Sequence, residues 1–260
     1  MKTETPKTII FTDIDGTILD EENSCQETKP LIKQLLALDA ALVFCSSKTR
    51  AEIEFYRKEL GVTDPFIAEN GGAIFIPKDY FPFSFPCSKK TRKYDVVELG
   101  VAYSVVREKL AGVSAATGAV IVGFGDMTDD EVVTDAGLPL PLAKLAKKRE
   151  YDEPFRLVHG NEKKMAKAIK AEGFTLTLGG KYFHVLGHSD KGKAAAVLKG
   201  LFARKFRNIV TYGVGDSEND LPMLTAVDTP MLVRRELGGR NTRLAVWRNM
   251  IRLILGDAKR

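Results

Sequence analysis

Apolar positions along the chain fall into two rhythms. Residues 9–12 form a short, β-branched apolar run that ends in acidic residues and glycine, the pattern of a strand buried in a parallel sheet. Leu31, Leu35, Leu36 and Leu38 then recur as on a helix, and residues 41–45 read as a second buried strand. Thr49 with Glu52 three residues later makes a capping box for another helix, which should stop at Gly61. Near the C-terminus the alternation resumes, with a helix over 191–203, a strand over 209–212 and a helix over 218–226. Strand and helix in this order predict an α/β fold, a parallel sheet with helices on both faces.

The middle of the chain has a different character. It opens with the aromatic, proline-rich run FIPKDYFPFSFPCS, and Pro82 and Pro86 are candidate hinges. Helices are expected at 102–115 and 162–172, with short ones across 129–148. The strand-like run VIVGF lies between the first helix and the short ones, and the strands TLTLGG and KYFHVLG come last, meeting at a hairpin marked by Gly179 and Gly180. This predicts an inserted α+β cap over 83–187, between core segments 1–82 and 188–260.

Composition adds little. A chain of 260 residues, 44% hydrophobic and 28% charged, can bury a full core without disulfides or structural metal. Cys25, Cys45 and Cys87 are widely spaced and form no CxxC pair, so neither a zinc site nor a disulfide framework is indicated. No apolar run approaches membrane-spanning or signal-peptide length, which leads to the expectation of a cytoplasmic protein with no membrane partner. The net charge of +5 is concentrated in the tail, where Arg234, Arg235, Arg240, Arg243, Arg248, Arg252, Lys259 and Arg260 face only Glu236 and Asp257. These bases alternate with Leu, Val and Ile and lack interleaved aromatics apart from Trp247, so a solvated helix face is expected and nucleic-acid binding is not.

Chemistry enters where strands end. Asp13 and Asp15, in FTDIDGT, follow the first buried strand, and ligands of open α/β sheets bind at such carboxyl ends. Asp13 is placed to attack a phosphoryl group, and Asp15 to protonate the leaving oxygen and then activate water. Asp216 and Asp220, in GVGDSEND, follow a second strand and offer hard oxygen ligands of the kind Mg2+ takes. With Asp13 they make a carboxylate cluster that would repel itself without a cation. Ser46, with Ser47, Lys48 and the following helix N-terminus, suits a phosphate, and Lys191 opens the first helix after the cap, where it can neutralise a transferring phosphoryl group.

These four motifs, in this order, resemble the haloacid dehalogenase superfamily of phosphatases. The resemblance implies a three-layer, Rossmann-like core and a C2-type cap. It also implies Asp13 as nucleophile and Mg2+ ligand, and Asp15 as acid/base and as a ligand through its carbonyl. Ser46 and Lys191 would bind phosphate, with Asp216 on the metal and Asp220 supporting it. Ser46 stands where threonine is common and keeps the hydroxyl. An acid at 15 favours a phosphatase over the superfamily's ion pumps, which carry threonine there, and its dehalogenases, which lack the acid.

The cap should select the substrate. The runs SSKTRAE (46–52), ENGG (69–72), REYDEPF (149–155) and GGKYFH (179–184) are similar to the mannosyl-3-phosphoglycerate phosphatase family. The resemblance implies a phosphorylated sugar as the small-molecule partner and mannosylglycerate, a compatible solute, as product. Arg149 could fork onto a carboxylate, Glu150, Asp152 and Glu153 could accept sugar hydroxyls, and Gly179 and Gly180 could bring amides to an anion. His184 lies in the last of these runs. Its spacing from His188 would suit a metal pair on a helix, which the strand-like setting argues against. A glucosyl-3-phosphoglycerate or sucrose-6-phosphate phosphatase and a phosphomutase remain alternatives, and the residues say nothing about oligomeric state.

Overall fold

The chain, described from a computed structural model, is traced over residues 5–233 and 240–257. The elements run β1 (Lys7–Thr12), α1 (Lys29–Ala37), β2 (Ala41–Phe44), α2 (Arg50–Leu60), β3 (Phe66–Ala68), β4 (Ala73–Pro77), β5 (Lys89–Lys90) and β6 (Tyr94–Glu98). Then come α3 (Tyr103–Thr117), β7 (Val120–Gly123), α4 (Asp129–Ala136), α5 (Leu140–Ala146), β8 (Asp152–His159), α6 (Glu162–Ala171), β9 (Thr175–Gly179) and β10 (Tyr182–Leu186). The chain closes with α7 (Lys191–Phe206), β11 (Ile209–Gly215), α8 (Leu221–Ala226), β12 (Thr229–Leu232) and α9 (Arg240–Asp257).

A parallel sheet in the order β12-β11-β1-β2 forms the core. Side chains alternate across it, because successive residues of a strand face opposite sides. Ile9, Phe11 and Val43 meet Leu198 and Phe202 of α7 and Met223 of α8 on one face. Ile10, Leu42 and Phe44 meet Ile32 and Leu35 of α1, Ile53 of α2 and Trp247 of α9 on the other. This is the three-layer arrangement expected from the sequence. The capping box at Thr49 forms, and Gly61 ends α2 in the left-handed conformation, at φ 73°.

Strands β3, β4, β6 and β5 make an antiparallel sheet that joins the core through a parallel bridge between Cys45 and Ile67. The boundary expected at 83 therefore falls inside a sheet, since β6 pairs with β4 and β5 pairs with β6. Local composition misled here. The aromatic run reads as a linker, yet Phe81 is 6% exposed and stacks at 5.5 Å on Phe83 and edge-on at 5.5 Å to Phe202.

Beyond β6 an antiparallel sheet in the order β7-β8-β10-β9 carries α3 and α6 on one face, where Val106, Leu110, Met165 and Ile169 enclose Phe155 and Val185. Helices α4 and α5 bridge this layer to α2, with Leu142 and Ala146 in the same apolar cluster as Ile53. The C-terminal helix is more than a solvated face. Trp247 and Met250 are fully buried, while Arg243 donates to the Leu19 carbonyl and to Glu27, both at 2.8 Å. Arg248 and Arg252 are exposed. Arg234, Arg235, Lys259, Arg260 and the side chain of Arg240 lie outside the described residues. Among the described residues, no helix is long and apolar enough to cross a membrane.

Candidate active site

The parallel strands place the acidic motifs side by side. Register pairs Thr12 of β1 with Val214 of β11, so Asp13 and Asp216 leave adjacent strand ends, and the Asp13 amide donates to Val214 at 2.9 Å. A tight turn after β11 then carries Asp220 back, where one of its oxygens accepts the Asp216 and Ser217 amides, both at 3.0 Å. Gly215 is obligatory at this crossing, because a Cβ there would lie 2.5 Å from the Asp220 Cβ. Carboxylate oxygens of Asp13, Asp216 and Asp220 all fall within 4.8 Å of one another.

Lys191, the first residue of α7, is 1% exposed and donates to Asp13 at 2.7 Å and Asp220 at 2.6 Å. Burial disfavours its charge, yet Asp13 and Asp220 hold its pKa above the ordinary lysine value. For Asp13, burial dominates and raises the carboxyl to about 8; Lys191 opposes this, while Asp220, Asp15 and Asp216 add to it. A set of three hard carboxylate oxygens against a single ammonium is the donor chemistry of a divalent cation such as Mg2+. Among the described residues these are the side chains that fit one.

Asp15 lies outside that trio. Its carboxylate is half exposed and pairs with Lys48 at 2.9 Å, and Lys48 also reaches Glu52 at 3.5 Å. Ser46 is fully buried, and its hydroxyl accepts the Lys48 amide at 3.3 Å. A cleft of about 250 Å³ opens over these groups, lined by Asp13, Asp15, Ser47 and Lys48 from the core and by Arg149, Gly179, Gly180 and His184 from the cap. Eight of the expected residues thus meet at one cavity.

Other cap residues behave differently from expectation. Glu150 turns out of the cleft to pair with Arg50 at 2.7 Å. Glu153 is fully buried, accepting from Tyr103, from the Gly125 amide at 2.9 Å and from Arg107 at 3.4 Å. Asp152, also fully buried, holds Arg149 at 2.7 Å. Arg149 further donates to the Ser47 carbonyl at 2.7 Å, so the guanidinium spans cap and core. The sequence leads Asp152 and Glu153 to be expected on sugar hydroxyls, but β8 carries both carboxylates inward onto protein partners. His188 is exposed, whereas His184 is buried.

The role of Glu69 escaped sequence reasoning. Fully buried, it accepts the backbone amides of Glu150 at 3.0 Å, Tyr151 at 2.7 Å and Asp152 at 2.8 Å, which pins the cap's first inner strand to the core. The next residue, Asn70, is left-handed at φ 55° and bonds to Asp152 at 2.9 Å and Asn219 at 3.0 Å. The ENGG run was the available signal, since asparagine before glycine tolerates such a backbone.

A family model described as haloacid dehalogenase-like hydrolase matches residues 10–94. A glucosyl-3-phosphoglycerate/mannosyl-3-phosphoglycerate phosphatase of Methanococcoides burtonii is 46% identical over 235 residues, 89% of this chain and 86% of that protein. A mannosyl-3-phosphoglycerate phosphatase of Pyrococcus furiosus is 42% identical over 225 residues, 86% of this chain and 90% of the relative. A solved structure described as a HAD subclass IIB sugar phosphatase superposes with a TM-score of 0.59 at 14% identity, covering 94% of this chain and 100% of its own, a likeness of fold alone. By its sequence relatives, the chain is a phosphoric monoester hydrolase that belongs to the mannosyl-3-phosphoglycerate phosphatase family of haloacid dehalogenase-like hydrolases.

Proposed function

We propose that the chain hydrolyses mannosyl-3-phosphoglycerate to mannosylglycerate and phosphate, with Mg2+ and through an aspartyl phosphate on Asp13. The carrying observation is the buried group at the strand ends, where Asp13 shares Lys191 with Asp220 and lies within 4.8 Å of Asp216. Asp13, Asp216 and Asp220, with the Asp15 carbonyl, would hold the cation, which when bound neutralises charge on the phosphoryl oxygens and keeps the nucleophile ionised.

An Asp13 oxygen attacks phosphorus as the bond to the glycerate oxygen breaks, and Asp15 donates the proton that the leaving oxygen needs. Water then attacks the acyl phosphate, Asp15 takes its proton, and phosphate leaves with Asp13 restored. Lys191 stays beside the transferring group as fixed positive charge. Lys48 pairs with Asp15 at 2.9 Å, and an arriving anionic ester competes for that ammonium, freeing Asp15 for proton transfer. Arg149 and Lys181 are cap cations in the cleft wall, and Arg149 is the one whose planar guanidinium suits the glycerate carboxylate. A cytoplasmic location suits the free thiols of Cys25, Cys45 and Cys87.

The name of the Methanococcoides relative, which carries both glycosyl esters, supports acceptance of glucosyl-3-phosphoglycerate as well. Phosphate release is to be measured from both synthetic esters and from simple hexose phosphates. EDTA should silence the enzyme and added Mg2+ restore it. Comparable kcat/KM on the simple hexose phosphates would defeat the assignment.

A further inference from the structure

We propose that Asn23, in the loop after the first acidic motif, binds sugar hydroxyls of the leaving group through its side-chain amide; the proposal rests on the sugar-phosphate reading above. The cap carboxylates that the sequence pointed to for those hydroxyls are committed elsewhere, Glu150 to Arg50, Asp152 to Arg149 and Glu153 to Tyr103. Recognition of the sugar therefore needs other polar groups of the cleft wall. Asn23 is one of them, facing a cavity to which the cap contributes Leu138, Gly180 and Lys181.

The loop around Asn23 is held in one shape. Asp20 Oδ1 accepts the amides of Glu22 at 3.0 Å and Ser24 at 2.8 Å, and the Asp20 carbonyl accepts the Asn23 backbone amide at 3.1 Å. The Asn23 carbonyl takes the Tyr56 hydroxyl of α2 at 3.4 Å. The backbone is left-handed there, at φ 59°, a conformation that asparagine tolerates better than most residues. None of these bonds uses the Asn23 side chain. Among the described residues its amide group has no hydrogen-bond partner, and although the residue is half-buried, neither polar atom is sealed from solvent. A fixed backbone that presents an open amide binds a ligand at little cost in ordering.

Its neighbours place Asn23 beside the group that leaves. The Tyr56 ring, whose hydroxyl reaches Asn23, lies 5.7 Å from Lys48 Nζ, and Lys48 pairs with Asp15 at 2.9 Å. Asp15 protonates the leaving oxygen, so Asn23 shares a wall with the acid that faces the departing glycosylglycerate. A primary amide carries a donor and an acceptor side by side, and each hydroxyl of a hexose can serve as either, so the two match. Glycine would satisfy the left-handed backbone equally, so the backbone by itself does not call for an amide. Asn23 is thus a specificity-determining residue, and the Asp20 turn positions it.

The test compares wild type with Asn23→Gly on mannosyl-3-phosphoglycerate and on p-nitrophenyl phosphate, whose leaving group has no sugar hydroxyl. Glycine accepts the φ of 59° and deletes only the side chain, and assays run well below the midpoint of each thermal melt keep unfolding out of the comparison. The loss of kcat/KM should be about tenfold larger on the glycosyl ester than on p-nitrophenyl phosphate, the scale of a lost hydrogen bond, and most of it should fall on KM. Free mannosylglycerate, added as an inhibitor of p-nitrophenyl phosphate hydrolysis, gives a second readout that needs no turnover of the glycosyl ester. Its inhibition constant should rise about tenfold in the variant. Equal losses on both esters, or an unchanged inhibition constant, would overturn the proposal, and if the product does not inhibit wild type, the ratio of losses decides alone. Should wild type spare the glycosyl ester and cleave another hexose phosphate, the substrate assignment fails, and the same ratio on that ester judges Asn23.

Discussion

An ammonium that is 1% exposed persists only among carboxylates, and Lys191 has Asp13 and Asp220 within 2.7 Å. That arrangement separates chemistry from folding in a way mutants can read. Asp13→Asn leaves Lys191 an oxygen from Asp220 and another from the amide, so the variant should fold. Turnover should nevertheless fall by more than ~10³-fold, the scale on which loss of a covalent nucleophile is felt. Asp15→Asn should instead slow hydrolysis of the acyl enzyme, by about 10²–10⁴-fold, and phosphoenzyme should accumulate in acid-quenched samples. Both aspartates were legible from FTDIDGT, because two acids at a strand end announce a site. The pairing of Asp15 with Lys48 was not, since the partner comes from another strand.

At the scale of elements, α9 shows how a helix far along the chain supports the first loop. Trp247 is fully buried and donates to the carbonyl of Thr17, the last residue of the first acidic motif, at 2.9 Å. Trp247→Ala removes both the packing and the bond, and should cost about 3–5 kcal/mol. For a chain of 260 residues that lowers Tm by about 10 °C in a thermal melt, and it should loosen the Asp13–Thr17 turn. Helix positions and caps were readable from period and from Thr49, Glu52 and Gly61, because those signals are local. The burial of Trp247 was not, because the alternation of arginine with aliphatic residues in α9 resembles a solvated face until α1 is laid against it.

Across the whole molecule, the buried carboxyl of Glu69 is one of the groups that tie the cap to the core. Glu69 accepts three consecutive amides at the start of β8, and Glu69→Ala would strand all of them in a buried place, at about 1–3 kcal/mol each. The expected result is earlier proteolytic cleavage between cap and core, and a fall in glycosyl-ester turnover larger than that on p-nitrophenyl phosphate. Wild-type proteolysis kinetics in the variant would refute the anchoring role. The division of the chain also belongs to this scale. Composition marks 83 as a boundary, yet β6 pairs with β4 and β5 with β6, because a strand's partner is chosen by the ladder it completes.

Patterning, caps and the acidic motifs are properties of neighbouring residues, so β1, α1, β2, α2, α7 and β11, the layered core and the strand-end carboxylates could be read from the chain itself. Which charged groups face the cleft is decided between residues far apart in sequence. Arg149, Glu150, Asp152 and Glu153 stand almost side by side along the chain, yet they part ways in space. Arg149 lines the cleft, Glu150 meets Arg50, Glu153 meets Tyr103, and Asp152 meets Asn70 and His184. Alternation along a strand sends successive side chains to opposite faces, and only the packed structure determines what awaits each of them there.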